Sequence, residues 1–334
     1  MDLLRRWAKV PLSLLSVCGL AACNSANPIA PAPAVTAPSA ESSSGLATIQ
    51  TLEPGMTLSF VSAETGYPAV AVDVVVNGVG YRTNGSGEVL LSENVTLPAS
   101  IEAASSEYLL RETVVRSRDM LRLTLWPSHS PTGLDENLTR RLIYTDAAGG
   151  ASGALPLRRL NPAGGRVSIV PAATLLQDPA ARAAHDEAAE ALTRATQGRI
   201  TFVVEATATA PVAVGTAIDA NDPAMRTHAA LAYRYLEGSQ ITGARIVFVS
   251  REVARMAAVV THELGHAFGL EHSSEALDLM YPVVSGPKIL SLRETLAVDL
   301  MLQRQPGNRF PDNDRIGATA AKGRRTEVVA CSGV

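Results

Sequence analysis

Residues 262–272 read His-Glu-Leu-Gly-His-Ala-Phe-Gly-Leu-Glu-His, and no other stretch constrains the fold as tightly. His262 and His266 are four apart, so on an α-helix both imidazoles leave one face toward one point. Val253, Met256, Val260, Leu264 and Phe268 recur at helical spacing, which predicts a helix over 251–268. Continued further, that helix would aim His272 away from the other two. Gly269 can take positive φ and stop it, so the chain turns back and brings His272 to the same place. Three neutral imidazoles converging in this way suit a zinc ion and leave its fourth position for water. Glu263 lies about 100° around the helix from His262, where its carboxylate can reach such a water without being a ligand.

Of the 334 residues, 46% are hydrophobic and 18% charged, which excludes a disordered chain. A net charge of −3 gives no electrostatic basis for holding nucleic acid, and none is expected as a partner. The cysteines are Cys18, Cys23 and Cys331, too few for a disulfide framework.

The first residues have the form of an export signal. Arg5, Arg6 and Lys9 make a positive head, and Val10 to Ala22 a short apolar stretch that ends in Leu20-Ala21-Ala22-Cys23. That ending resembles the bacterial lipobox, which implies a lipoprotein signal peptide over 1–22 and lipidation at Cys23. Asn24 does not resemble the Asp that retains lipoproteins at the inner membrane. The expectation is therefore an outer-membrane lipoprotein, attached through its lipid; ordinary secretion is the alternative. Residues 23–45 are rich in Ala, Pro and Ser and read as a tether.

Residues 46–135 read as an all-β sandwich. Short Val-, Leu- and Thr-rich runs at 56–61, 69–76, 88–91, 107–116 and 120–126 are divided by turn signals such as Asn77-Gly78. Thr65-Gly66-Tyr67-Pro68 and the Asn84-Gly85-Ser86-Gly87 turn resemble the carboxypeptidase-regulatory or transthyretin-like sandwich. Over 136–305, strands and helices alternate. Strands are expected at 166–170, 200–205 and 245–250. One helix is opened by Asp178-Pro179 and closed at Gly198, and another is opened by a Ser291/Glu294 capping box. Residues 306–334 are polar and read as a flexible C-terminal tail.

The 262–272 stretch carries every fixed residue of the H-E-x-x-H-x-x-G-x-x-H signature and resembles the metzincin zinc proteases. Leu279-Met280-Tyr281-Pro282 resembles their Met turn. Ser273 after the third His, and Met-Tyr-Pro after the Leu, are similar to the matrixin branch. The resemblance implies an α+β fold: a mixed twisted sheet plus three helices, preceded by the sandwich. It implies a zinc-dependent endopeptidase for protein or peptide substrates. One catalytic zinc would be held by His262, His266 and His272, with Glu263 as general base and Met280 as a structural floor. Calcium is compatible with this reading, but no pattern here supports it. The family also implies a strand within 228–236 that aligns substrate at the cleft edge, and a pocket wall over 282–287. His185 reads as a solvent-facing or packing residue, and His228 with Asp219 and Asp222 is too little for a second zinc. No propeptide Cys is present for the latency mechanism of animal matrixins. The competing reading is a lipid-anchored, zinc-containing binding module without turnover, for which Glu263 would be superfluous. A monomer is assumed.

Overall fold

The structure, a computed structural model, describes residues 50–145, 155–283, 289–314 and 323–332. The signal peptide, Cys23 and the tether lie outside the described residues, as do positions 284–287 of the expected pocket wall. Among the described residues no helix is long and apolar enough to cross a membrane.

Among the described residues nine strands come first: two short ones, Thr51–Leu52 and Val95–Thr96, pair with each other, and the other seven are β1 (Thr57–Ser62), β2 (Asp73–Val76), β3 (Val79–Arg82), β4 (Glu88–Leu90), β5 (Ala99–Ala104), β6 (Arg111–Val115) and β7 (Arg122–Leu125). These seven form a sheet of order β4-β1-β7 and a second containing β6-β5-β2-β3. Alternate residues of both sheets point into one core, Phe60 and Leu125 from the first meeting Val74, Ile101 and Val115 from the second. Asn77 and Gly78, at φ 47° and 90°, make the tight β2–β3 turn, a conformation Asn and Gly tolerate best. Two strands here carry little sequence signal. β3 is largely exposed, and β5, Ala-Ser-Ile-Glu-Ala-Ala, has a single β-branched residue.

A second group follows: α1 (Glu136–Tyr144), β8 (Arg159–Leu160), β9 (Arg166–Pro171), α2 (Pro179–Ala195), β10 (Thr201–Val204), β11 (Val212–Ile218), β12 (His228–Glu237), β13 (Gln240–Phe248), α3 (Ala257–Phe268), α4 (Leu292–Leu302), β14 (Asp312–Asn313) and β15 (Arg324–Ser332). The main sheet has the order β10-β9-β11-β13-β12-β15, with β8 also on β13. Its pairs are parallel except those of β12, which is antiparallel to both β13 and β15. The helix α2 packs on α3. Its buried face is mostly alanine (Ala181, Ala184, Ala188, Ala195), which favours helix and lets the two axes approach closely.

Four expectations need correction. The helix foreseen over 251–268 is two pieces, Arg251–Ala254 and α3, because Met256 is extended. Arg255 at the break donates to Asp178 at 3.0 and 2.6 Å, so a tie to the N-cap of α2 outweighs continuous helix. Besides the three long helices expected there is α1, capped by Asp135, and two single turns, Ala173–Leu176 and Arg251–Ala254. The strand within 228–236 exists but is not a free edge, since β15 lies along it. Finally, the tail beyond 306 contributes two strands. Asp312 of β14 joins β6 of the first lobe, where it accepts from Arg111 at 2.6 Å and from Arg304 at 2.8 and 2.7 Å. That ion pairing, buried between the lobes, is what draws a polar segment inward.

Candidate metal centre

His262 and His266 are both fully buried on α3. The Nδ1–H of His262 donates to the Leu279 carbonyl at 2.6 Å, and that of His266 to the Leu270 carbonyl at 2.8 Å. Each bond fixes the tautomer and turns a lone pair on Nε2 inward. The Nε2 atoms of His266 and His272 stand 3.2 Å apart, and the ligand atoms of all three rings lie within 4.8 Å of one another. Two ligands about 2.0–2.1 Å from one tetrahedral zinc stand roughly 3.3 Å apart, so the donor set fits that ion.

Burial, joined by the charge of neighbouring His272, holds His262 down to about 3, and burial with the nearby Arg234 holds His272 down to about 4. His266 is pushed well below the usual imidazole range, chiefly by burial. All three rings are therefore neutral at pH 7, the form a metal requires. Glu263, adjacent to His262 on the helix, is also fully buried.

The local sequence explains how the third histidine arrives. Gly269 adopts φ 130°, and a Cβ there would stand 2.1 Å from the Arg158 carbonyl. Only glycine fits both constraints. The chain then turns, and the Glu271 N–H donates to the Leu142 carbonyl of α1 at 2.8 Å, which steadies the segment carrying His272.

Met280 is fully buried beneath α3. A Cβ on Gly265 would meet its sulfur at 2.6 Å, so the glycine between the two helical histidines is where the thioether lies against the helix. The turn bearing Met280 is held by Glu294, whose carboxylate accepts from the N–H groups of Met280 at 2.7 Å, Leu279 at 3.2 Å and Ser291 at 2.7 Å. The expected capping box is present, and its glutamate has this second task. Ser273 accepts no part in the cluster itself; its N–H donates to the Met280 carbonyl at 2.8 Å and its hydroxyl to Asp278.

Residues 169–296 match the family model of matrixin, peptidase M10. The match spans less than half the chain but takes in the three histidines, Met280 and Glu294, and it supports a matrixin-like metalloprotease domain. The strands of the first lobe and β15 lie outside it. No curated protein matches the chain.

Beside the matrixin-like centre is a charged group that sequence reasoning missed. Arg234 of β12, with no exposed side-chain surface, donates to Glu271 at 2.7 Å. Arg158 lies 3.9 Å from the same carboxylate and donates to Glu327 of β15 at 2.7 Å. Nothing in the spacing of these residues announces the group, because its members come from four separate segments. His185 is not solvent-facing: it is buried, held between the Ala181 carbonyl at 2.7 Å and the Thr216 hydroxyl at 2.9 Å. His228 opens β12, and the three-histidine group does not include it.

Proposed function

We propose that the chain is a zinc-dependent endopeptidase that hydrolyses internal peptide bonds of proteins. The observation that carries this reading is the set of three imidazoles, neutral at pH 7, with their ligand nitrogens within 4.8 Å of one another and two of their Nδ1 protons committed to backbone carbonyls. His262, His266 and His272 would hold the ion. When bound, zinc supplies a Lewis acid that polarises the scissile carbonyl and acidifies water. Glu263 then takes the proton from the attacking water and hands it to the leaving amine. Its burial keeps competing solvent away from that transfer. The Leu279 carbonyl, on a residue whose N–H is held by Glu294, keeps His262 oriented.

The deciding experiment compares wild type with Glu263→Gln after zinc loading, on an unfolded protein or a peptide library. Wild type should cleave and the variant should not, while both carry one zinc per chain. A zinc-loaded wild type that cleaves nothing would leave the binding module as the better description.

The remaining parts of the reading are spatial. The basic head and the Leu20-Ala21-Ala22-Cys23 ending support export and lipidation at Cys23, with the outer membrane as destination. The two sheets over 57–125, sharing one core, support a sandwich that acts as a spacer between lipid and protease. Mass spectrometry of the membrane fraction should find residues 1–22 absent and Cys23 acylated.

A further inference from the structure

β12 has two edges, and both are taken. One is paired with β13 and the other, along almost its whole length, with β15. Strand pairing is exclusive, since each outward N–H and C=O on an edge serves one neighbour. If β12 aligns a peptide substrate, as the metzincin resemblance implies for an endopeptidase of the kind proposed above, that peptide and the chain's own residues 324–332 compete for the same groups.

The position of β15 beside the metal centre is set by side chains as well as by the ladder. Glu327 stands opposite Arg234 and takes a 2.7 Å hydrogen bond from Arg158. Both arginines also face Glu271, the residue before His272. Two residues further on, Val329 points to the same side. It is fully buried and shares a core with Val260, Leu264 and Phe268 of α3. The residues between and before these are exposed: Arg324, Arg325, Thr326 and Val328. β15 is therefore held as an added peptide strand is held, by a main-chain ladder and by pockets for alternate side chains.

We propose that Arg324–Ser332 is a self-docked peptide in the substrate's place, and that Arg158 selects an acidic side chain, two residues before a small apolar one, in the peptides that replace it. The occupied edge then lowers the affinity for an outside peptide by the fraction of time it is free.

The test uses the full chain without zinc, so that binding is read apart from turnover. The probe is a fluorescein-labelled nonapeptide with the sequence of residues 324–332 and the change Cys331→Ser, followed by fluorescence anisotropy. A Glu327→Lys chain, whose own strand is repelled by Arg158, should bind this peptide at least about tenfold more tightly than wild type does. A peptide carrying the Glu327→Lys change should lose that gain. Equal binding by the two chains, or binding indifferent to the charge at that position, would overturn the proposal. Should the variant fail to fold, hydrogen exchange on the wild-type chain decides. Amides of 325–331 must exchange at least about tenfold faster than those of Gln240–Phe248, because the strand has to leave while the sheet stays; equal protection rejects self-docking. Peptide exchange without cleavage by the zinc-loaded variant would remove the endopeptidase reading alone. Cleavage without peptide exchange would remove only the self-docked strand.

Discussion

Glu294 accepts the backbone N–H of Met280 at 2.7 Å, and through that bond the start of α4 sets the floor of the candidate metal centre. The same carboxylate holds Leu279, whose carbonyl takes the Nδ1 proton of His262. One buried side chain thus links a helix cap, the Met-bearing turn and a histidine of the cluster. Replacing it with alanine leaves three N–H groups without their acceptor. Glu294→Ala should lower zinc affinity by about 10–100-fold and stability by about 1–3 kcal/mol. Chelator competition and thermal unfolding of the zinc-free protein measure the two effects separately.

Gly265 and Met280 should be energetically coupled. Gly265→Ala drives a methyl into the sulfur and should cost about 1–3 kcal/mol. Met280→Ala opens a cavity in its place and should cost about 2–5 kcal/mol. The double variant relieves one fault with the other, so its loss should fall short of the sum by at least about 0.5 kcal/mol in urea unfolding. Strict additivity would mean that the two residues do not meet.

Zinc uptake should depend weakly on pH over the range where free imidazole titrates. In the folded chain His262 and His272 lie at about 3 and about 4, far below the usual 6.5, so no proton has to be displaced at neutral or mildly acidic pH. Affinity of the folded protein should stay nearly level down to about pH 5 and fall below that. Stability of the zinc-free protein behaves differently. The unfolded chain takes up protons near 6.5 while the folded chain does not, so stability is whole above that value and declines as pH falls toward 4. Isothermal titration and denaturant melts across that range would expose a contrary trend.

Asp312 ties the two lobes together. Burial pushes its carboxyl up, but Arg304 and Arg111 outweigh this and hold it below the usual 3.8. The folded value being the lower one, its contribution is present above the unfolded value and is lost as pH falls through the folded one. Asp312→Asn removes the charge that Arg304 and Arg111 share, while Arg111 keeps its pair with Asp314, and should destabilise by about 3 kcal/mol. A melt unchanged from wild type would mean that solvent already screens the pair.

What the sequence determined alone is what short-range geometry dictates. The 3.6-residue period puts His262 and His266 on one side of α3, Gly269 ends that helix, Asp178 and Ser291 begin two others, and Asn77-Gly78 turns a hairpin. Each of these depends on residues within about one helical turn or one hairpin of each other. The tertiary structure decided the rest. It broke the helix at Met256 because Asp178 is reached by Arg255, gathered Arg158, Arg234, Glu271 and Glu327 around the centre, and gave the Ser291/Glu294 cap a second partner. It also laid the C-terminal segment Arg324–Ser332 along β12, a partner some ninety residues away that no local pattern indicates. A buried charge or an open strand edge is satisfied by whichever partner the fold brings near, and that partner's distance along the chain leaves no periodic mark.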